Sequence, residues 1–262
     1  MMAKSLFLEE RRQFILDHLK QHGRVLVNDL SQQLGVSTVT IRQDLRMMEQ
    51  TGVAERTYGG AVLRQGVAIG LPELSFNVRR DKHRAEKEAI GRAAVLRVKV
   101  GYAVALDAST TVFTIVPYLR SIDGLTVVTN SLVVAQQFVD LPHIKVLMPA
   151  GRMRSDSVSL VDRPNTLPDL NLNIGFFGAR GLSLEMGITD VSPEEVAMKQ
   201  AVMANCLEKT VAVDGSKWGQ VAPYTITNAD SIDRIITDSS APPELVAQFR
   251  DAGIQVDVVE PE

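Results

Sequence analysis

The sequence predicts an α/β protein of two domains, an N-terminal winged helix-turn-helix followed by a larger domain with a mostly parallel sheet. Within the first 63 residues, two short helical patterns joined by a glycine-containing turn precede a hairpin pattern. From residue 100 onward, short apolar runs alternate with helical patterns, as they do where helices cover both faces of a parallel sheet. A chain of 262 residues is long for one ordinary domain and suits a small domain plus one of moderate size.

Composition and charge limit the classes of protein to which this chain can belong. With 45% hydrophobic and 23% charged residues, the chain can bury a core. No apolar run approaches the roughly 20 residues that span a bilayer, and the N-terminus lacks a signal-peptide pattern, so we expect a soluble cytoplasmic protein without membrane partners. The single cysteine, Cys206, excludes a disulfide framework within the chain. Net charge is +2 over residues 1–64, +4 over residues 65–99 and −9 over residues 100–262.

The first fifty residues predict three helices. An apolar stripe that ends before Gly23 indicates the first helix. Asn28 is a candidate N-cap for a second helix, which ends at the turn residue Gly35. Ser37 or Thr38 can cap the third. Two short helices joined in this way form a helix-turn-helix.

The third helix has an apolar face and a polar face. Ile41, Leu45 and Met48 recur at helical spacing and predict the buried side. The opposite side carries residue types that read base edges or bind phosphate, since arginine pairs with guanine and glutamine with adenine. The candidate DNA-contacting residues here are Ser37, Thr38, Thr40, Arg42, Gln43 and Arg46. A solvated polar face is the alternative explanation of this helix taken alone.

Residues 53–63 predict a β-hairpin with a tight turn at Gly59-Gly60, directly after the third helix, which is the position of a wing. Arg56 and Tyr58 lie near its tip, where they are well placed to contact phosphate or the minor groove, so we count them as DNA-binding candidates. Helix-turn-helix proteins usually bind paired half-sites about one helical turn apart. We therefore expect a double-stranded DNA operator as partner and a homodimer or higher homo-oligomer.

Residues 64–77 lack periodicity and contain Gly66, Gly70 and Pro72, so they indicate a linker between a DNA-binding domain, residues 1–63, and a second domain, residues 78–262. The run that follows the linker predicts one amphipathic helix. Its density of arginine and lysine either supports DNA binding or is an ordinary solvated face, and we favour the solvated face.

Polar residues follow four of the predicted strands of the second domain. In open parallel sheets ligands bind at the carboxyl ends of the strands, and hydroxyl and N–H groups at helix N-termini suit an anion. Lys199 and Lys217 can supply positive charge, although each Ser or Thr can instead be a simple N-cap and Glu195 and Lys199 a surface pair. The candidate ligand-binding residues are Asp107, Ser109, Thr110, Thr111, Thr129, Asn130, Ser131, Gly151, Glu195, Lys199, Asp214 and Lys217.

The run LSQQLGVSTVTIRQDLRMMEQTGVAERTYGGAV resembles the DNA-binding domain of DeoR-type regulators. Within it, Arg42 is the residue that we most expect to contact DNA. Asp44 carries a charge that phosphate repels, so we expect it to orient Arg42 or Arg46, or to cap locally.

The second domain resembles the DeoR-type sensor domain through LDASTT, VVTNSL, PAGRMR, FFGARGL, EEVAMK and VDGSKWG. That domain is similar in fold to ribose-5-phosphate isomerase and the glucosamine-phosphate deaminases. The resemblance covers nearly the whole chain. It implies a repressor of a carbohydrate-catabolism operon whose effector is a small phosphorylated sugar or related metabolite, assembled as a dimer or higher oligomer.

Three residues depart from the family pattern. Ser109 stands where the family usually has Gly, and Ala150 replaces the first of two glycines. Arg180 stands where the family usually has Asp. It either adds charge for a more anionic effector or marks a changed site, and we include it among the effector-binding candidates.

An enzyme is the second hypothesis, a sugar-phosphate isomerase or deaminase fused to a DNA-binding domain, with Asp107, Glu195 or Lys217 as acid-base groups. The four histidines lie outside the polar clusters, and no compact His- or Cys-based nucleophile motif occurs. We therefore expect no catalytic residues. Because no combination of Cys with His occurs at metal-ligand spacing, we expect neither a metal nor a cofactor.

Overall fold

The computed structural model divides into two compact units, Met1–Val78 and Arg79–Glu262. The residues that it describes are 11, 12, 14–16, 18, 19, 23–50, 54–63, 76–167 and 170–262. Most of the predicted linker, residues 64–75, and the start of the predicted first helix lie outside them. No helix in the described part of the chain is long and apolar enough to cross a membrane.

The described residues of the N-terminal unit up to residue 63 form helices α1 to α3 and a small antiparallel sheet of order β1-β3-β2. Described residues between 11 and 19 are helical and belong to α1. The other elements are β1 Arg24–Leu26, α2 Val27–Leu34, α3 Thr38–Gln50, β2 Ala54–Thr57 and β3 Gly60–Leu63. Ile41, Leu45 and Met48 are buried against α1 and α2 residues such as Ile15 and Leu30, which confirms the predicted inner face of α3.

The predicted cap of α2 and the predicted hairpin turn are both wrong. Asn28 does not cap α2, which begins at Val27 after the extended residue Leu26 and has no side-chain cap. The reason is β1, which the sequence did not predict: Leu26 pairs with Gly60, and this pairing sets where the helix begins. The hairpin turn consists of Tyr58 and Gly59 rather than Gly59-Gly60. Gly60 lies in β3, where any side chain would overlap the backbone of β1.

Asp44 orients neither Arg42 nor Arg46, contrary to expectation. Its buried carboxylate instead accepts hydrogen bonds from Arg11 Nε at 2.6 Å and Arg12 Nε at 2.9 Å. Arg11 is itself buried, so the pair fixes α1 against α3 through the interior of the unit. The physical reason is that a carboxylate on the inner side of α3 is stable only where cations reach it.

The C-terminal unit is built on a seven-stranded sheet of order β15-β14-β12-β9-β4-β5-β6, in which every pairing is parallel. An antiparallel sheet, β10-β11-β13, and a hairpin, β7-β8, accompany it. The strands are β4 Ala103–Leu106, β5 Thr126–Thr129, β6 Lys145–Leu147, β7 Arg152–Arg154, β8 Ser159–Val161, β9 Leu172–Phe177, β10 Gly181–Ser183, β11 Gly187–Asp190, β12 Cys206–Ala212, β13 Tyr224–Thr227, β14 Arg234–Asp238 and β15 Gln255–Val259. This architecture confirms the predicted α/β domain.

Helices cover both faces of the large sheet, because neighbouring strand residues point to opposite sides. Phe176 packs into one buried cluster, with Ile90 and Leu119 from helices, and Phe177 into the other, with Val196 and Phe249. The helices are α4 Phe76–Asp81, α5 Arg84–Val95, α6 Thr110–Phe113, α7 Val116–Leu119, α8 Leu132–Gln136, α9 Pro193–Met203 and α10 Pro243–Asp251. Three-residue 3₁₀ turns occur at Pro164–Thr166, Gly215–Lys217 and Ala229–Ser231.

The single amphipathic helix predicted after the linker is two helices. The chain breaks between α4 and α5 at His83, whose φ of 51° is left-handed. The helical pattern of residues 109–119 is likewise divided into α6 and α7, because the Thr114 side chain bonds back to the Thr111 carbonyl and Pro117 lies in the first turn of a new helix. The breaks between α4 and α5 and between α6 and α7 interrupt the helical spacing of apolar residues only slightly. The hydrophobic pattern of the sequence therefore did not reveal them.

We expect Asp44→Ala to destabilise the N-terminal unit by about 3 kcal/mol, because it leaves Arg11 buried without its counter-charge. Thermal unfolding of the full-length protein by circular dichroism measures this. Glu55→Ala removes an exposed carboxylate from the same unit and is the control. Equal melting temperatures for the two variants would contradict the structural role of Asp44.

Candidate nucleic-acid interface and candidate anion site

The outer face of α3 presents polar and charged side chains to solvent. Arg42, Gln43 and Arg46 are exposed, and Thr38 and Thr40 are half-buried. Ser37 caps the helix, since its Oγ accepts the Thr40 N–H at 3.1 Å and lies 2.9 Å from Thr40 Oγ1.

Val39, which is 68% exposed, lies on the same face and was not among the sequence candidates. Its spacing of four from Gln43 and seven from Arg46 was the signal that could have found it. An apolar side chain at this position is suited to contact a thymine methyl group.

The wing places Tyr58 at its tip, fully exposed, beside the left-handed Gly59. Arg56, on β2, is also exposed, and its guanidinium lies 3.9 Å from the Glu49 carboxylate near the end of α3. The wing and α3 therefore present cations on neighbouring parts of one small unit, an arrangement suited to a phosphate backbone.

In the C-terminal unit, Asp107 joins two strand ends. One carboxylate oxygen accepts the Ser109 N–H at 2.9 Å and the other accepts the Gly178 N–H at 2.8 Å. The Lys199 ammonium, from α9, lies 3.2 Å from the second oxygen and donates to the Gly178 carbonyl at 2.9 Å. Asp107 thus holds the loops after β4 and β9 together.

Lys199 and Glu195 are buried, so the alternative of a surface pair is wrong. Lys199 donates to Asp190 at 2.8 Å. Burial alone would lower the pKa of Lys199, but Asp190 and Asp107 outweigh it and raise that pKa, which keeps the ammonium charged.

Glu195 accepts hydrogen bonds from Ser157 Oγ at 2.7 Å and Ser159 Oγ at 2.5 Å. Its other oxygen lies 3.4 Å from the Asn130 amide. These bonds connect α9, the β7-β8 hairpin and the end of β5. The sequence candidates did not include Ser157 or Ser159, since a serine pair in a short hairpin carries no distinctive spacing.

Several candidates are helix caps, as the simpler interpretation held. Ser109 caps α6 and Ser131 caps α8, each through its Oγ, and Thr129 accepts the Ser131 N–H. Thr110 and Thr111 are buried in the first turn of α6. Gly151 is explained by the β7-β8 hairpin, because a side chain there would overlap the backbone of Val161.

Asp214 has one satisfied carboxylate oxygen and one that is not. Oδ1 accepts from the N–H and the hydroxyl of Ser216. Oδ2 is buried and, among the described residues, accepts no hydrogen bond. Burial raises the pKa of Asp214, but Lys217, Ser216 and Lys87 together lower it, so the carboxylate is ionised.

Cations converge on this edge of the sheet. Burial lowers the pKa of Lys217, Asp214 raises it, and Arg180 and Arg79 lower it further. Burial likewise lowers the pKa of Arg180, which lies 3.9 Å from Asp190. Cations close enough to lower the pKa of Lys217 make this region attractive to an anion.

Lys87, on α5, belongs to the same group. It is 4% exposed and its pKa is lowered from 10.5 to about 8, chiefly by burial, with Asp214 opposing and Lys217 and Arg79 adding to the shift. The sequence interpretation treated the cations of this helix as solvated. Lys87 nevertheless precedes the buried Ile90 and Ala94 by three and seven residues, a spacing that marks the inner face.

Two family models match the chain. The model described as "DeoR-like helix-turn-helix domain" covers residues 11–66, and the one described as "DeoR C terminal sensor domain" covers residues 82–239. Among the described residues, no group of three or more His, Cys, Asp or Glu is placed to hold a metal ion.

Curated relatives extend over nearly the full chain. The HTH-type transcriptional regulator GolR of Listeria innocua is 32% identical over 97% of this chain and 100% of its own length. The putative aga operon transcriptional repressor of Escherichia coli O157:H7 is 32% identical over 95% of this chain and 93% of its own. The glycerol-3-phosphate regulon repressor of Escherichia coli K12 is 25% identical, over 95% and 98%.

Among solved structures, ribose 5-phosphate isomerase A from Methanocaldococcus jannaschii matches with a TM-score of 0.39 and 17% identity, covering 50% of this chain and 53% of its own.

We expect the stability difference between the wild type and Lys87→Met to depend on pH. Between pH 8 and pH 10.5 the unfolded chain retains the Lys87 proton and the folded protein has released it, so wild-type stability rises with pH. Below pH 8 Lys87 is protonated in both states. Its buried ammonium then lowers the free energy of unfolding by the full amount, about 3 kcal/mol. Lys87→Met has no ammonium here, so its stability lacks this pH-dependent contribution.

Urea unfolding from about pH 7 to about pH 10 measures the difference. Lys99→Met, which removes an exposed lysine, is the control. If Lys87→Met and the wild type keep a constant stability difference across this range, the buried ammonium is not the source of the dependence.

Proposed function

This chain belongs to the DeoR family of transcriptional regulators, and from that premise we propose that it represses a carbohydrate-catabolism operon under the control of a phosphorylated sugar. The observation that carries the proposal is the convergence of buried cations and ionised carboxylates where the parallel strands end. We further propose that it acts in the cytoplasm as a homodimer or higher homo-oligomer, with residues 1–63 binding the operator, residues 64–77 as linker and residues 78–262 sensing the effector.

On the DNA side, α3 is the recognition helix and the wing contacts the backbone. The face that carries Arg42, Gln43 and Arg46 has the residue types and the exposure that major-groove reading needs. Arg56 and Tyr58 are positioned to bind phosphate beside it. Specificity would come from α3 and a sequence-independent part of the affinity from the wing.

On the effector side, Lys217 and Arg180 favour a phosphate, while the unsatisfied Oδ2 of Asp214 suits a donor such as a sugar hydroxyl. A ligand that carries both groups would neutralise the cations and satisfy the carboxylate. The name of one relative refers to glycerol 3-phosphate, a small phosphorylated metabolite of the class proposed here.

Asp107 and Lys199 have a positioning role in this proposal rather than a catalytic one. Both oxygens of Asp107 accept backbone N–H bonds, and Lys199 is held by two carboxylates. These groups therefore shape the site and are poorly arranged to exchange protons with a substrate. The curated relatives are named as transcriptional regulators or repressors. The protein is accordingly a DNA-binding regulator rather than an enzyme.

A thermal-shift panel of sugar phosphates and their unphosphorylated parents tests the effector. A ligand that binds the folded state raises the melting temperature with its concentration. We expect a shift for at least one phosphorylated sugar and none for its parent. A panel without any shift would contradict the proposed effector class.

We expect Arg42→Ala to weaken binding to a DNA duplex, selected from a random pool with the wild-type protein, by about 5- to 150-fold, because it removes a base contact worth about 1–3 kcal/mol. Fluorescence anisotropy measures the affinity. The melting temperature stays unchanged, since Arg42 is exposed. Arg120→Ala, an exposed arginine of the sensor unit, is the control, and equal affinities for the two variants would remove Arg42 from the interface.

We expect Lys217→Met to bind the selected duplex as the wild type does and to lose the thermal shift caused by the sugar phosphate. The reason is that the ammonium supplies charge to the anion site of the C-terminal unit, whereas the residues that we propose to bind DNA belong to the N-terminal unit. Lys145→Met, at the exposed edge strand β6, is the matched control. A normal shift in Lys217→Met would place the ligand elsewhere.

A further inference from the structure

The first residues of the sensor unit, from Arg79 to Lys87, form a compact turn. α4 ends at Asp81, His83 takes a left-handed conformation, and α5 begins at Arg84. This reversal brings the backbone carbonyls of Arg79 and Lys82 to the buried ammonium of Lys87, at 2.5 and 2.6 Å. A left-handed non-glycine residue is strained and persists only where surrounding contacts enforce it.

Lys87 is fixed from the other side as well. Its carbonyl accepts the Thr114 hydroxyl at 2.7 Å, and the same hydroxyl lies 2.6 Å from the Thr111 carbonyl. Gly91 permits this approach, because a side chain there would overlap Thr114. A continuous series of hydrogen bonds therefore runs from α6, which follows the Asp107 loop, through Lys87 to the turn that carries Arg79.

The Arg79 side chain points toward the candidate effector site. One guanidinium nitrogen donates to the Asp156 carbonyl at 3.3 Å, directly before Ser157, whose hydroxyl binds Glu195. The carboxylates that act on its charge include Asp190 and Asp107, which are the residues that hold Lys199. Arg79 is thus an additional cation of the same cluster.

We propose that Arg79 binds the anionic group of the effector and that Lys87 fastens the turn that carries Arg79, so that occupancy of the site fixes the conformation of α4. The inference rests on the effector site proposed above and adds how that site is linked to α4. α4 spans the point where the chain passes from one unit to the other, so a ligand held by Arg79 acts on the connecting helix itself. Coupling of this kind requires the ligand to bind one conformation of the turn more tightly.

The first test measures binding of inorganic phosphate to the full-length protein by isothermal titration calorimetry. We expect Arg79→Gln to weaken binding at least about tenfold, since a guanidinium–phosphate pair is charge-assisted and bidentate. Arg80→Gln is the matched control, because Arg80 lies next in α4 and pairs with the exposed Asp81. If phosphate binds Arg79→Gln as tightly as Arg80→Gln, Arg79 is not a ligand.

The second test follows hydrogen–deuterium exchange with and without phosphate. In the wild type we expect slower exchange of the amides of residues 76–87 when phosphate binds, and in Lys87→Met we expect binding without that slowing. We expect Lys87→Arg, which keeps the positive charge, to show the slower exchange again. This second variant supplies the comparison if Lys87→Met does not fold.

The outcomes separate the two proposals. Protection at residues 107–111 and 178–180 without protection at residues 76–87 would overturn the coupling and leave the effector site in place. Absence of binding by the wild type, for phosphate and for every sugar phosphate of the panel, would overturn the proposed effector and this inference with it.

Discussion

Asp107 accepts one backbone N–H with each carboxylate oxygen and lies beside the Lys199 ammonium. Through these bonds the loops after β4 and β9 are joined to each other and to α9, which crosses one face of the sheet. Lys199 extends the connection to Asp190 at the end of β11, and Glu195, one turn earlier on α9, extends it to the β7-β8 hairpin. The parallel sheet brings the strand ends to one edge, and this buried ion cluster gives that edge a fixed shape.

The same edge holds buried cations beside its carboxylates. Burial lowers the pKa values of Arg79, Lys87, Arg180 and Lys217, which means that folding holds these cations in a less favourable environment than water. An anion bound among them would relieve that penalty, so it would stabilise whichever arrangement brings the cations closest together. Under the proposed function, the phosphate of the effector supplies this counter-charge and the unphosphorylated sugar does not.

Local patterns predicted most of the fold and part of the site. Spacing alone identified the inner face of α3, the wing, and the strand ends that carry Asp107 and Asp214. Two of the misses result from pairing across long sequence separations, Asp44 with Arg11 and Leu26 with Gly60. The third results from the left-handed residue His83, which lets nearby backbone carbonyls reach the Lys87 ammonium. Charge on α5 was attributed to a solvated surface because sequence shows where cations occur and not which carbonyls or carboxylates surround them.

Ser109 and Gly178 face each other at the mouth of the Asp107 loop. A methyl group on residue 178 would overlap the Cβ and Oγ of Ser109, whereas a glycine at 109 would leave that space open. The two positions therefore restrict each other's evolution. Starting from this sequence, a lineage can replace Ser109 by glycine first and then enlarge residue 178, but the reverse order passes through an intermediate with a steric clash at the centre of the sensor.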